Sequence, residues 1–278
     1  MSQESLGEAM ERLLTVMAAL RGENGCPWDK RQTHRSLTPY LIEEAYEVIF
    51  AIETGGDGEL AEELGDLLLQ VVFHARLGEE RNAFRFEEIA RALADKLVHR
   101  HPHVFGDEPV ESEEELHKVW HRRKMTHRKS ALEGIPPGLP ALQWAAKVAS
   151  NAAKSGFDWN GSGEILDKTA EELAEFRREV EMLSGGDGVS RESDQDPKAG
   201  EAVRGRMETE LGDLFFALVQ LSRWYKLDPE AALRKSTRKF IRRFQWMEQS
   251  IRDSGKAPDP DKARWWDLWA KAKQRHPG

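Results

Sequence analysis

Acidic residues recur in this sequence at the spacing that puts two carboxylates on one helical face. Glu44 and Glu47 are three apart, as are Glu63 and Asp66, and matching pairs return later as Glu172 with Glu175 and Glu210 with Asp213. Residues three or four apart are neighbours on a helix surface. Two unit charges about 4 Å apart repel by roughly 4 kcal/mol at an effective dielectric near 20, so gathered carboxylates require protons or a cation. The donors are all oxygens, and none of these pairs supplies the histidine of the Glu-x-x-His motifs that build di-iron sites. Hard oxygen ligands favour Mg²⁺, with Mn²⁺ as a substitute. Magnesium keeps several waters and shares its coordination with substrate phosphates, which points to a nucleotide or pyrophosphate substrate.

The elements that must position these groups are helices. Leu41, Ala45, Val48, Ile49 and Ile52 form one apolar stripe at helical period, and Glu44 and Glu47 lie on its flank. Leu60, Leu64, Leu67, Leu68 and Val71 form a second stripe with Glu63 and Asp66 on the corresponding flank. Gly55-Gly56-Asp57-Gly58 between them is turn material, which predicts an antiparallel helical hairpin. Antiparallel helices that bury matching stripes are related by a twofold axis, so the matching flanks emerge on the same side. All four carboxylates then face one space.

Almost nothing in the chain alternates with period two, so the fold class is all-α. The sequence also repeats itself. Glu43-Glu44-Ala45-Tyr46-Glu47, Glu63-Leu64-Gly65-Asp66 and Lys96-Leu97-Val98-His99-Arg100 are followed, in the same order, by Glu171-Glu172-Leu173-Ala174-Glu175, Glu210-Leu211-Gly212-Asp213 and Lys239-Phe240-Ile241-Arg242-Arg243. Three prolines in Ile135-Pro136-Pro137-Gly138-Leu139-Pro140 cannot sit inside a helix. The expected organisation is therefore two tandem helical-hairpin domains, 1–134 and 142–278, joined by a linker at 135–141. Residues 184–205, rich in glycine, serine and charge, read as a mobile insertion in the second domain.

Phosphate also needs direct donors. Lys239, Arg242 and Arg243 fall within about one helical turn, with Lys235 one turn before them. The first half keeps Lys96 and Arg100 but has His99 where the second has Arg242. Lys168 precedes Glu171 by one turn, where the first half has Tyr40 before Glu43. Both asymmetries favour the second half as the phosphate site. The 278 residues carry 41 basic and 49 acidic side chains, a net charge of −8 that opposes nonspecific nucleic-acid binding. A single cysteine, Cys26, excludes an intrachain disulfide. No apolar run is long enough to span a membrane and the N-terminal segment lacks a signal-peptide layout, so a cytoplasmic location is expected.

With these blocks in this order, the sequence resembles the MazG-type nucleoside triphosphate pyrophosphohydrolases of the all-α NTP pyrophosphatase group. The resemblance rests on Cys26-Pro27-Trp28-Asp29-Lys30, the two E-E-x-x-E and E-L-G-D blocks, His101-Pro102-His103-Val104-Phe105-Gly106-Asp107, Lys239-Phe240-Ile241-Arg242-Arg243-Phe244 and Trp269. It implies Mg²⁺-dependent hydrolysis of nucleoside triphosphates to monophosphate and pyrophosphate, by a homodimer of paired hairpins. It further implies Glu172, Glu175, Glu210 and Asp213 as metal ligands, with Glu44, Glu47, Glu63 and Asp66 as their first-half counterparts. Lys168, Glu171, Lys239, Arg242 and Arg243 would contact the nucleotide and Trp269 would border its base; Lys96 and Arg100 are the first-half phosphate groups. Glu171 is placed to orient or deprotonate the attacking water. A non-catalytic module that holds Mg-nucleotide or a protein partner is the alternative on the same residues. His101 and His103, in a His-Pro-His turn, read as structural.

Overall fold

The computed structural model of the chain describes residues 5–106, 129–184, 197–254 and 262–277. The chain divides into two compact units, Met1–Leu116 and His117–Gly278. Among the described residues the regular structure is entirely helical. None of the helices is long and apolar enough to cross a membrane.

The first unit contains α1 (Leu6–Arg21), α2 (Pro27–Arg31), α3 (Thr38–Thr54), α4 (Asp57–Glu80), α5 (Phe86–Arg100) and α6 (Pro102–Phe105). A capping box starts α1: the Ser5 hydroxyl accepts from the Glu8 amide, and the Glu8 carboxylate accepts from the Ser5 amide at 2.8 Å. Gly55 and Gly56 make the bend between α3 and α4. A side chain on Gly55 would displace the Glu59 carboxylate and stand 3.0 Å from the Ala51 carbonyl, so the reversal is tight there. Met17 of α1 packs with Leu37 and with Val72, Phe73 and Leu77 of α4, backed by Leu13, Leu14, Leu68, Leu69 and Phe86. Each such side chain contributes about 1.5–3 kcal/mol when fully buried. Arg21 ties the corner together: it pairs with Glu80 at 2.7 Å, donates to the Asp29 carbonyl and lies over the Phe73 ring.

The apolar stripe of α3 is covered only in part. Val48 is buried, but Ile52 is 64% exposed and Leu64 of α4 is 48% exposed. Among the described residues α3 finds its main packing partner in α4, which leaves these side chains near the glycine turn largely open.

The second unit contains α7 (Ala141–Lys154), α8 (Ser162–Ser184), α9 (Pro197–Trp224), α10 (Pro229–Asp253) and α11 (Lys262–Arg275). The long helices α8 and α9 pair as α3 and α4 do, α7 lies on α9 and α10, and α11 packs on α10. Ala149, Ile165, Ala217, Val219, Met247, Ile251 and Ala272 are buried. Asp228 caps α10 through the Ala231 amide at 3.0 Å.

Two boundaries differ from those expected. The division between units falls before residue 129, upstream of the proline-rich segment, because Asn151 of α7 donates to the Ala131 carbonyl at 3.0 Å and ties that stretch to the second unit. Of the expected insertion 184–205, residues 197–205 are the first turns of α9, and 185–196 lie outside the described residues. The glycine and charge of 197–205 do not interrupt helix α9, which runs through Gly205.

Candidate active site

In the first unit the hairpin does bring carboxylates from both arms together. Glu44 of α3 and Glu63 and Asp66 of α4 offer oxygens that all lie within 4.8 Å of one another. Glu47 adjoins them. Burial holds the Glu44 carboxyl above the usual carboxylate range, and the charges of Asp66 and Glu47 and a hydrogen bond to Glu47 add to the effect. Glu63 is raised in the same way, first by desolvation and then by Glu47 and Asp66. Mutual repulsion of ionised groups is what a bound cation would relieve, and an all-oxygen donor set suits a hard one.

The second unit repeats the arrangement. Glu172 of α8 and Glu210 and Asp213 of α9 place oxygens within 4.8 Å of one another. Desolvation raises Glu210, followed by the charges of Glu175, Asp213, Glu172 and Glu179. Glu175 stands beside the group with its carboxylate also paired to Arg178 at 2.9 Å. Glu172 is only 6% exposed, and a buried carboxylate needs a partner. Lys168, one turn earlier, supplies it: its ammonium lies 2.8 Å from Glu172 and 2.7 Å from Glu171. Those bonds, to Glu171 first and then to Glu172, hold the lysine well above its ordinary value.

The other expected cations of the second half lie within one turn of α10. Lys239 and Arg242 lie on α10, partly buried and exposed, and among the described residues neither pairs with Glu172, Glu210 or Asp213. Arg243 is committed elsewhere: its guanidinium donates to the His276 carbonyl at 2.7 and 3.0 Å and lies 5.6 Å from the Trp269 ring centre. Trp269 also meets Phe240, with ring centres 5.2 Å apart. Arg243 and Trp269 thus form a clamp that holds α11 on α10. Lys96 and Arg100 are exposed on α5. The His101 ring bonds to the Leu97 carbonyl at 2.6 Å and stands 5.6 Å from His103, in keeping with a structural turn.

The matched hairpins have counterparts among known proteins. A family model described as the MazG nucleotide pyrophosphohydrolase domain matches residues 32–105 and again residues 161–247. The chain belongs to the MazG family. It is similar to the nucleoside triphosphate pyrophosphohydrolase/pyrophosphatase MazG of Thermotoga maritima, 43% identical over 249 residues that cover 90% of this chain and 89% of that protein. It is also similar to the nucleoside triphosphate pyrophosphohydrolase of Escherichia coli K12, 41% identical over 254 residues, 88% of this chain and 89% of the relative. Each MazG match takes in one complete hairpin with its carboxylate group; Lys168, Lys239, Arg242 and Arg243 fall inside the second, and Trp269 lies beyond it.

Three polar residues of the first MazG repeat went unnoticed in the sequence. His34 and His74 stack with planes 3° apart, and their Nδ1 atoms share a hydrogen bond of 2.7 Å. Gln70 is 5% exposed, and its amide oxygen has no hydrogen-bond partner among the described residues. A signal was present, because Gln70 and His74 interrupt the apolar run Leu67-Leu68-Leu69-Gln70-Val71-Val72-Phe73-His74 at a spacing of four.

Proposed function

We propose that the chain is a nucleoside triphosphate pyrophosphohydrolase that uses Mg²⁺, with Mn²⁺ as a substitute, to convert NTP to NMP and pyrophosphate. The observation that supports this most is the pair of matched carboxylate groups, Glu44, Glu63 and Asp66 and again Glu172, Glu210 and Asp213, each within 4.8 Å. Relatives that match almost the whole chain are named nucleoside triphosphate pyrophosphohydrolases, which supports the reaction class.

Glu172, Glu210 and Asp213, with Glu175 beside them, hold the cation in the second half; Glu44, Glu63, Asp66 and Glu47 are the equivalents in the first. When bound, the cation neutralises charge on the triphosphate and on the departing pyrophosphate. Lys168 and, from α10, Lys239 and Arg242 direct positive charge at the phosphates, and Arg243 and Trp269 border the nucleotide from the α10–α11 clamp. Glu171, exposed next to Glu172, orients the attacking water and takes its proton. The water oxygen bonds to phosphorus as the bond from phosphorus to the leaving pyrophosphate breaks. The second half is the better-equipped site, since Lys168 stands where the first half has Tyr40. The activity serves removal of noncanonical nucleotides or control of nucleotide pools in the cytoplasm. Exposed Ile42, Tyr46 and Phe50, spaced by four along α3, support a homodimer.

Pyrophosphate release by the full chain from a panel of NTPs, with Mg²⁺ and after its removal, tests this reading. Metal-dependent release is expected. Saturable nucleotide binding without turnover would instead identify a binding module.

A further inference from the structure

The two carboxylate groups differ in the positive charge that the chain itself brings to them. On α8, Lys168 lies one turn before Glu172, and Arg178 lies three residues after Glu175. Both are engaged: the lysine ammonium stands 2.8 Å from Glu172, and the arginine guanidinium 2.9 Å from Glu175. The corresponding places on α3, counted from the matched Glu-Glu-x-x-Glu blocks, hold Tyr40 and Phe50. Helix α3 contains no lysine or arginine. Arg76 is the one such residue of α4, and it pairs with Glu79 and Glu80 near the C-terminal end of that helix. Among the described residues no ion pair reaches Glu44, Glu47, Glu63 or Asp66.

A divalent ion therefore meets different surroundings in the two hairpins. Unit charges about 4 Å apart interact by roughly 4 kcal/mol at an effective dielectric near 20, and the figure doubles against a divalent ion. An ion held by Glu172, Glu210 and Asp213 shares the Glu172 carboxylate with the Lys168 ammonium. The lysine already takes part of the attraction that the ion would gain, and it adds repulsion of its own. Glu172 is buried, so salt screens this pair poorly, whereas Arg178 is exposed and its effect is smaller.

Only another anion can draw these side chains away. Lys168 carries its charge on a flexible four-carbon stem, is partly exposed, and already shares its ammonium with exposed Glu171 at 2.7 Å. A triphosphate arriving from solvent offers it a denser negative charge on that open side, and the Glu172 oxygen is then returned to the metal.

We infer that the second half loads its divalent cation together with the triphosphate, whereas the first half takes the cation without nucleotide, and that Lys168 imposes the difference. The inference rests on the proposed function, which places a cation at both carboxylate groups.

The test is binding of Mn²⁺ to the full chain without nucleotide, at about pH 8 where carboxyls are ionised, read from the electron paramagnetic resonance signal of the free ion. Glu44→Ala with Asp66→Ala confines binding to the second half, and Glu172→Ala with Asp213→Ala confines it to the first. The first half is expected to bind about tenfold more tightly or better. Lys168→Met should tighten Mn²⁺ in the second half by about tenfold, and Arg178→Met by less. Tyr40→Lys, at an exposed position of α3, should weaken the first half in return, and Tyr40→Met should not. With Mn²⁺ saturating, Lys168→Met should also weaken binding of a nucleoside triphosphate that has a methylene bridge between its α and β phosphorus atoms. Tightening of one ligand and weakening of the other is a result that a loosened fold does not produce. Unchanged or weaker Mn²⁺ binding on Lys168→Met, or a second half that binds the bare ion as tightly as the first, overturns the inference and leaves the proposed function intact. Failure of both halves to bind Mn²⁺, with and without the methylene analogue, overturns the two together.

Discussion

Glu172 is the most constrained of the acidic side chains, nearly sealed from solvent yet within 4.8 Å of two further carboxylates. Glu172→Ala and Asp213→Ala are expected to lower kcat/KM by about 100-fold or more, since even the partners of metal ligands are worth roughly 10–100-fold. Glu44→Ala should cost less. Pyrophosphate release measures all three, and a larger loss from Glu44→Ala would reverse the ranking of the halves. The raised carboxyls set a pH dependence. Without a cation, the folded protein holds protons at Glu44, Glu63 and Glu210 more tightly than the unfolded chain does. Their contribution to stability is present at low pH and is lost as pH rises through the raised values. A divalent cation offsets that loss only where the groups are ionised. The gain in Tm from saturating Mg²⁺ should therefore be larger near about pH 8 than near about pH 5, well above and close to ordinary carboxylate values. Equal gains in thermal melts at the two pH values would count against a cation at these residues.

At the level of helices, the antiparallel hairpin was legible because stripe and flank recur at fixed offsets around a glycine turn, and the geometry of Glu44, Glu63 and Asp66 follows from it. What helix spacing could not reveal was commitment to other partners. Arg243 sits at the same spacing as Lys239 and Arg242, but it is bonded to the carbonyl of His276, 33 residues away. His34 and His74 meet only because α4 folds back past the start of α3, and no local pattern announces a pair 40 residues apart. Arg243→Ala removes the charge-assisted bonds to the His276 and Pro277 carbonyls and should lower stability by about 2 kcal/mol. Urea unfolding followed by tryptophan fluorescence would report it, and an unchanged midpoint would mean that α11 is held by other contacts. Met17→Ala, which empties a site 2% exposed, should cost about 2–5 kcal/mol in the first unit.

The molecule as a whole leaves a large amount of apolar surface uncovered along its hairpins. In the first unit Ile42, Tyr46 and Phe50 of α3 are exposed, and in the second unit Leu173 of α8 and Phe215, Phe216 and Leu218 of α9 are exposed. Exposed apolar stripes on a helix mark association surfaces, and a twofold contact would present the same stripe from both copies. Sedimentation equilibrium is expected to give twice the chain mass of 31.7 kDa. Tyr46→Asp with Phe50→Asp should return the monomer. A monomeric unaltered chain would remove the dimer from the proposal and leave the carboxylate sites as they are.

Lys168 has one more effect. Its ammonium is a tethered counterion already seated among the acids of the second hairpin, whereas Tyr40 in the corresponding place turns its ring edge-on to Trp28. The second repeat therefore carries its own charge compensation, while among the described residues no ion pair seats a cation on Glu44, Glu63 or Asp66 in the first. Under chelation, amide hydrogen exchange should quicken along α3 and α4 before it does along α8 and α9.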